Sequence, residues 1–214
     1  MTVTTLALGL AYLGSAIGVA MVIPQILRIV RHPTMGGVSP WTWAILATSC
    51  VLWIDYGVRT GSAPQIPGNV LLVSGAIAIV LLVPAAWSRR RRATLLAAVM
   101  VALVIVSLQL APEQVGFLAF AIGVCGMWPQ VYETVWARRG MGPSAISITS
   151  QTLKLGSQMC WLSFAALTVD VPVIVSALMA LSTNLVITGV ELRRRRNAGI
   201  EQPAYERGLV GSHA

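Results

Sequence analysis

One lysine lies in the middle of a long uncharged stretch of the chain. Lys154 is the only charged residue between Gly140 and Val169. At 3.6 residues per turn, Gln151 and Gln158 share a helix face with it. An ionisable side chain within an apolar span is costly and indicates a functional contact, with a substrate carboxylate or hydroxyl or with a buried acid. The alternative is a lysine whose long side chain reaches the membrane surface.

A tryptophan and an asparagine in the first half of the chain are further candidates for binding. The indole of Trp53 offers a flat apolar face and one N–H donor, and the amide of Asn69 offers both a donor and an acceptor. Together these groups suit a hydroxylated ring. The alternatives are a membrane-interface position for Trp53 and a helix-capping role for Asn69, which follows Pro64 and Pro67.

The composition excludes several classes of protein. Of the 214 residues, 56% are hydrophobic and 10% are charged, whereas a soluble domain has about 25% charged residues. The net charge of +8 is divided among clusters that separate apolar runs, so no continuous basic face for nucleic acid is expected. Nucleophile–base pairs, phosphate loops and metal-ligand spacings are absent from the sequence. We expect no enzyme activity, no cofactor and no metal.

Long charge-free runs predict seven transmembrane helices, because about 20 apolar residues cross a bilayer core. Basic residues concentrate in alternate connections and near the C-terminus, which predicts an outside N-terminus and a cytoplasmic C-terminus. The chain is therefore predicted to be an all-α protein of the plasma membrane. The spans are expected near residues 5–27, 38–58, 66–87, 93–111, 114–136, 144–168 and 171–191.

The sequence repeats with a shift of 105 residues, which sets Pro24-Gln25 on Pro129-Gln130. Three spans reverse the orientation of a chain, so an extra span keeps two copies parallel. The predicted order is 3+1+3, an arrangement that some transporters use around a central site. It comprises a first triple-helix repeat with a basic loop (1–92), a linker helix (93–112), a second repeat (113–196) and a polar tail (197–214).

This register leaves the two halves unequal. Gln158 matches Trp53, and Trp161 matches Tyr56. Asn69 falls on Ile174, or on Ala177 if the prolines of the third spans are aligned. Equivalent walls from the two halves are therefore not expected.

The motifs resemble those of the PQ-loop superfamily, in which each repeat carries a Pro-Gln pair. The segment from Leu52 to Gly57, with Trp53 and Tyr56, is similar to the LWxxYG segment of the SWEET and SemiSWEET sugar transporters. Asn69 follows at the spacing of their third helix. The resemblance covers about residues 10–192. It implies that Trp53 and Asn69 line a sugar site. The repeat axis, and not the resemblance, predicts that Gln158 and Lys154 of the second half lie near the same central cavity.

Pro24 and Pro129 are expected to act as hinges. A proline within a helix removes a backbone hydrogen bond and kinks the helix, although a static kink is the alternative. Gln25 and Gln130 are expected to bond the backbone groups that the prolines free.

Three residues near the predicted outer end are assigned to an outer gate or a coupling step. Asp55 either pairs with Arg59 one turn later or takes part in gating or protonation. Tyr56 and Trp161 are its partners in this assignment.

The expected function is facilitated transport of a small solute, with a sugar as the first choice, by alternating access across the lipid bilayer. One chain holds both repeats, so an oligomer is not required. Two alternatives stay open. One is a proton-coupled transporter of amino acids or other small solutes on the same fold, which Lys154 favours for an anionic or zwitterionic substrate. The other is a receptor or scaffold that does not transport.

Overall fold

A computed structural model describes residues 2–32, 37–84 and 86–198, and the tail beyond residue 198 lies outside this description. The described residues form helices and one π-helical turn, with no strand among them. The all-helical prediction is therefore confirmed. The helices are α1 (Val3–Ala20), α2 (Val22–Arg31), α3 (Pro40–Thr60), α4 (Gln65–Leu82), α5 (Arg89–Ser107), α6 (Pro112–Tyr132), α7 (Ile148–Thr168) and α8 (Val171–Asn197), with the π turn at Glu133–Ala137.

Four helical segments are long and apolar enough to cross a membrane. Helices α3, α5 and α7 correspond to the other three predicted spans and have 21, 19 and 21 residues. They are more polar, because α5 begins with four arginines, α3 carries hydroxyl side chains with Asp55 and Arg59, and α7 carries hydroxyl and amide side chains with Lys154. The chain thus has the character of a membrane protein. The four segments are Val3–Arg31, Gln65–Leu82, Pro112–Ala137 and Val171–Asn197.

The basic stretch at residues 89–92 is helical, which corrects its assignment to a loop. Ser88 caps α5, since its side chain accepts a hydrogen bond from the Arg91 N–H at 3.3 Å. The arginines therefore form the first turn of α5. Arg92 is buried and donates to the carbonyls of Val80 and Val83 at the end of α4.

The helices pack in two groups with the same internal order. In the first group (α1–α4), α4 contacts both α1 and α3, and in the second group (α6–α8), α8 contacts both α6 and α7. Between the groups, α1 packs on α7 and α6 packs on α3. Helix α5 packs on α3 and α4. These main contacts within and between the groups therefore correspond.

Apolar clusters follow the same pattern. Ala11 and Phe164 belong to a buried cluster between α1 and α7, and Leu52 and Val115 belong to a matching cluster between α3 and α6. The largest cluster joins α2, α3 and α4 around Ile79. Small residues on α1 and α6 let the paired helices approach closely.

Matched hydrogen bonds show that the sequence register is wrong beyond the first helix of each group. The Ser49 hydroxyl donates to the Ala119 carbonyl at 2.8 Å, and the Ser157 hydroxyl donates to the Gly14 carbonyl at 2.7 Å. Gly14 and Ala119 differ by 105 residues, whereas Ser49 and Ser157 differ by 108. The connection that precedes α7 is therefore three residues longer than the connection that precedes α3.

The corrected register makes the two groups more alike than the sequence indicated. Trp53 corresponds to Trp161, and Tyr56 corresponds to Phe164. Both aromatic pairs are edge-on, with ring centroids 5.6 Å apart and interplanar angles of 84° and 86°. The matches of Trp53 with Gln158 and of Tyr56 with Trp161 are wrong, because the three-residue insertion precedes them.

Candidate functional site

A cavity of about 180 Å³ lies between the two groups of helices. Its walls come from α1, α3 and α4 on one side and from α6, α7 and α8 on the other. An engineered protein cavity of about 150 Å³ holds benzene. This cavity therefore has room for a solute of about one six-membered ring.

Two tryptophans line the cavity, one from each group. Trp53 and Trp161 are half-buried, and both pack against the cluster that contains Phe164 and Val173. Trp53 thus lies where a binding residue would lie. Trp161, assigned from sequence to the outer gate, shares the cavity wall with it and offers a second flat face.

Amide side chains are among the polar groups that line the cavity. The Asn69 Nδ2 donates to the Gln65 carbonyl one turn earlier, at 2.7 Å, which leaves its oxygen for another partner. Among the described residues, the side chains of Gln158 and Asn184 have no hydrogen-bond partner, and the buried Nε2 of Gln65 lacks one as well. Gln65 and Asn184 were not among the predicted binding residues. The Asn69 oxygen and the amides of Gln158 and Asn184 are available to a polar solute.

Lys154 also lines the cavity. Its Nζ lies 4.8 Å from the centroid of the Trp43 ring, a cation–π contact. Within the described part of the chain, no carboxylate pairs with it. The structure thus brings Trp53, Asn69, Gln158 and Lys154, the four predicted binding residues, to one cavity.

Gln25 bridges the two groups at one end of the bundle, which we call the Ser39 end because it holds the start of α3. The Gln25 Nε2 donates to the Ala145 carbonyl at 3.3 Å, and its Oε1 accepts from the Ser147 N–H at 3.1 Å. Gln25 therefore bonds the connection that leads into α7. The prediction that Gln25 bonds backbone groups of its own kinked helix is therefore wrong.

Gln130 makes the reciprocal contacts. Its Nε2 donates to the Gly37 carbonyl at 2.9 Å, and its Oε1 accepts from the Ser39 N–H at 3.0 Å. Each glutamine satisfies backbone groups that precede a helix of the opposite group, because the connections cross between the groups at this end. We call the contacts of Gln25 and Gln130 the glutamine bridges.

The two prolines sit in different surroundings. Pro24 follows an interruption between α1 and α2 at Met21, whose carbonyl accepts from the Ser150 hydroxyl at 2.7 Å. Pro129 lies inside a continuous α6, and the irregular π turn comes after it. In the first group, the helix is interrupted just before its proline. In the second group, the helix is regular at its proline, and the irregular turn begins about one turn later.

The opposite end of the bundle, the Tyr56 end, holds a different set of contacts. The Tyr56 hydroxyl donates to Asp170 Oδ1 at 3.2 Å and so links α3 to the start of α8. Burial raises the pKa of Asp170 above its usual range, while hydrogen bonds from the Val173 N–H and the Tyr56 hydroxyl oppose that shift. Asp55 pairs with Arg59 at 2.9 Å and does not line the cavity.

A buried ion pair at the Ser39 end was not predicted. Glu191 is fully buried and accepts from the N–H and the hydroxyl of Ser144, both at 2.9 Å. It also accepts from Arg195 Nε at 3.2 Å, and Arg195 donates to the Ile146 carbonyl at 2.6 Å. This network fixes the connection into α7. A lone acid two residues before a run of four arginines was the only sequence signal for it.

Comparison with known proteins adds no relative to this description. Neither the protein-family models nor the curated proteins give a match to the chain. The functional proposal therefore rests on the cavity, on the matched contacts around it and on the motifs in the sequence.

Proposed function

We propose that this chain is a multi-pass transporter of the plasma membrane that carries a small solute, a sugar in the first place, by alternating access. One observation carries the proposal: the cavity lies between two groups of helices whose contacts correspond. Transporters built from repeats bind their substrate near the membrane midplane, at the interface between the repeats.

The proposed architecture has seven spans in a 3+1+3 order. At about 1.5 Å per residue, helices of 21 and 19 residues reach roughly the 30 Å of a bilayer core, so α3, α5 and α7 are long enough to join the four apolar segments. Helix α5 would be the linker that keeps the two groups parallel. The arginine distribution supports an outside N-terminus and a Ser39 end that faces the cytoplasm.

The resemblance to the SWEET branch of the PQ-loop superfamily supports a sugar-like substrate. Trp53 and Asn69, which carry that resemblance, both line the cavity. The corrected register adds Trp161, from the second group, as a second indole that lines the cavity. Aromatic faces for a ring, with amides to bond its hydroxyl groups, are a common way to bind a hydroxylated solute.

Alternating access requires that the two ends open in turn. The glutamine bridges tie the groups together at the Ser39 end, and the Tyr56–Asp170 hydrogen bond does so at the opposite end. Opening toward the cytoplasm would break the glutamine bridges. Pro24 and Pro129 lie one residue before them and are the proposed flexing points.

A proton-coupled transporter of amino acids and a non-transporting receptor stay as alternatives. The side chains that line the cavity, among the described residues, include no carboxylate, so the ammonium group of an amino acid would have no acidic partner. Asp55, the residue considered for coupling, is held by Arg59. These contacts favour a solute without an ammonium group.

Purified protein in liposomes should take up a labelled monosaccharide, while sucrose, which has two rings, should enter poorly. Glucose, glucuronate, sucrose and a mixture of amino acids would be compared, with and without a pH gradient. Uptake of amino acids that depends on the gradient would favour the first alternative. Binding without any flux would favour the receptor.

Trp53→Ala should weaken the apparent affinity for the transported solute by about 1–3 kcal/mol, because it removes one aromatic face of the cavity. The matched control is Trp128→Ala, since Trp128 is 59% exposed and does not line the cavity. Equal effects of the two substitutions on half-saturation would contradict the assignment of the cavity.

Pro24→Ala should leave insertion and folding intact, because it restores a helical donor at the break between α1 and α2. Uptake should fall severalfold if this break flexes during transport. Unchanged uptake in the variant would reduce Pro24 to a static kink.

A further inference from the structure

We infer that the cavity selects a monoanionic hydroxylated solute, namely a sugar acid of about one ring, and that Lys154 binds its carboxylate. This inference rests on the proposed function and names the substrate class of the same site. It begins from the charge of the cavity. Lys154 is the only charged side chain among the described residues that line it.

The charge of Lys154 has no anionic partner within the described protein. Five acids are described, and none forms an ion pair with Lys154. Asp55 pairs with Arg59, Glu191 pairs with Arg195, and Asp170 accepts from Tyr56. Glu113 and Glu133 lie at the start of α6 and in the π turn, away from the cavity. The positive charge is therefore uncompensated.

An uncompensated cation in the interior of a protein costs free energy. The contact of Nζ with Trp43 offsets part of that cost, but a ring face does not take up the donors of an ammonium group. An anion in the cavity would satisfy them. A bound anion would therefore stabilise the lysine, whereas a neutral or positively charged solute would not. This difference makes the cavity selective for anions.

The corrected register shows that this charge belongs to one wall only. Lys154 corresponds to Leu46 and Gln158 corresponds to Cys50, and all four side chains line the cavity. The first group is apolar at the two positions where the second group is polar. The asymmetry supplies a single positive charge, and a single carboxylate balances it. A phosphate ester carries close to two negative charges and would leave one unbalanced.

The rest of the cavity suits the uncharged part of such a solute. The indoles of Trp53 and Trp161 can cover the C–H faces of a ring, and the amides of Asn69, Gln158 and Asn184 can bond hydroxyl groups. The volume of about 180 Å³ limits the solute to about one ring. A sugar acid such as a uronate combines these features.

Three ring-matched probes test the inference. Glucuronate carries a carboxylate, glucose is neutral, and glucosamine carries an ammonium group. The wild-type protein should bind and transport glucuronate roughly tenfold or more in preference to glucose, and glucosamine least. Lys154→Met should reduce the glucuronate-to-glucose ratio by roughly 10- to 100-fold. Lys154→Arg keeps the charge and should retain the preference.

A chemical footprint gives a second measurement that does not need transport. Lys154 is the single lysine of the chain, so an amine-reactive reagent can modify only this side chain and the N-terminal amine. Glucuronate should slow modification of Lys154 in detergent-solubilised protein, with the N-terminal amine as the internal control. Glucose at the same concentration should protect much less.

The possible results separate this inference from the proposed function. Transport of glucose without preference for glucuronate, unchanged in Lys154→Met, would overturn the inference and keep the transporter. Protection of Lys154 by glucuronate without flux of any probe would keep the anion site and overturn the transporter. Preference for glucosamine, or equal protection by all three probes, would overturn the inference.

Discussion

Glu191→Ala is expected to destabilise the protein by about 3–5 kcal/mol, the usual cost of removing one member of a buried ion pair. The substitution strands the guanidinium of Arg195, which is 8% exposed in its side chain. It also removes the acceptors for the N–H and the hydroxyl of Ser144. Thermal unfolding and denaturant titration of the protein in detergent would measure the loss.

The chain contains a matched control for this prediction. Asp55 and Arg59 form a second acid–arginine pair at the same i,i+4 spacing, but each side chain is 22% exposed. Asp55→Ala should cost no more than about 1 kcal/mol, as partly exposed pairs usually do. Similar losses for the two variants would show that burial does not set the strength of the Glu191 network.

Simultaneous replacement of Gln25 and Gln130 by leucine is expected to open the Ser39 end. The two changes delete four hydrogen bonds that cross between the groups. At about 0.5–1.5 kcal/mol for each bond, the closed arrangement should lose at least about 2 kcal/mol. A loss of that size shifts the ratio of closed to open molecules by roughly 30-fold.

Accessibility of the cavity would measure this shift. A cysteine at Leu46, which lines the cavity, would be introduced after Cys50, Cys125 and Cys160 have been replaced. A thiol reagent that does not cross membranes, applied from the Ser39 end, should label it faster in the double leucine variant. The control is Gln109→Leu, an exposed glutamine without a cross-group bond. Equal labelling in both variants would contradict a gating role for the glutamine bridges.

The sequence predicted much of the site because the relevant residues break local rules. Lys154 is a charge in an uncharged run, and Trp53 and Asn69 belong to recognisable motifs. All three line the cavity. Helix existence followed equally well from the charge-free runs, since that signal depends only on composition.

The sequence could not predict the register of the second and third helices of the repeat, because two alignments are possible. The connection before α7 holds two serines, Ser144 and Ser147, and either can be aligned with Ser39. The tertiary structure decides between them, because Ser147 accepts from the Ser150 N–H at 3.1 Å as Ser39 accepts from the Thr42 N–H at 3.4 Å. The alignment of Ser39 with Ser144, which the 105-residue shift gives, hides the correspondence of Trp53 with Trp161.

Long-range partners were the other part that sequence could not supply. Gln25 bonds Ser147 across 122 residues, and Glu191 bonds Ser144 across 47. A proline beside a glutamine indicates a disturbed helix, and the nearest freed carbonyl is the obvious partner. In the folded structure, each glutamine instead bonds one carbonyl and one N–H in the segment that leads into a helix of the opposite group.

The reciprocity of the glutamine bridges has a consequence for the order in which the chain is made. The N–H of Ser39 donates to Gln130, a residue that the ribosome adds 91 residues later. At about 5–20 residues per second, this interval lasts roughly 5–20 s. During that time the first group is complete in sequence but its Ser39 N–H and Gly37 carbonyl lack their partner. The first half alone therefore cannot complete the hydrogen bonds of the connection into α3 until Gln130 has been made.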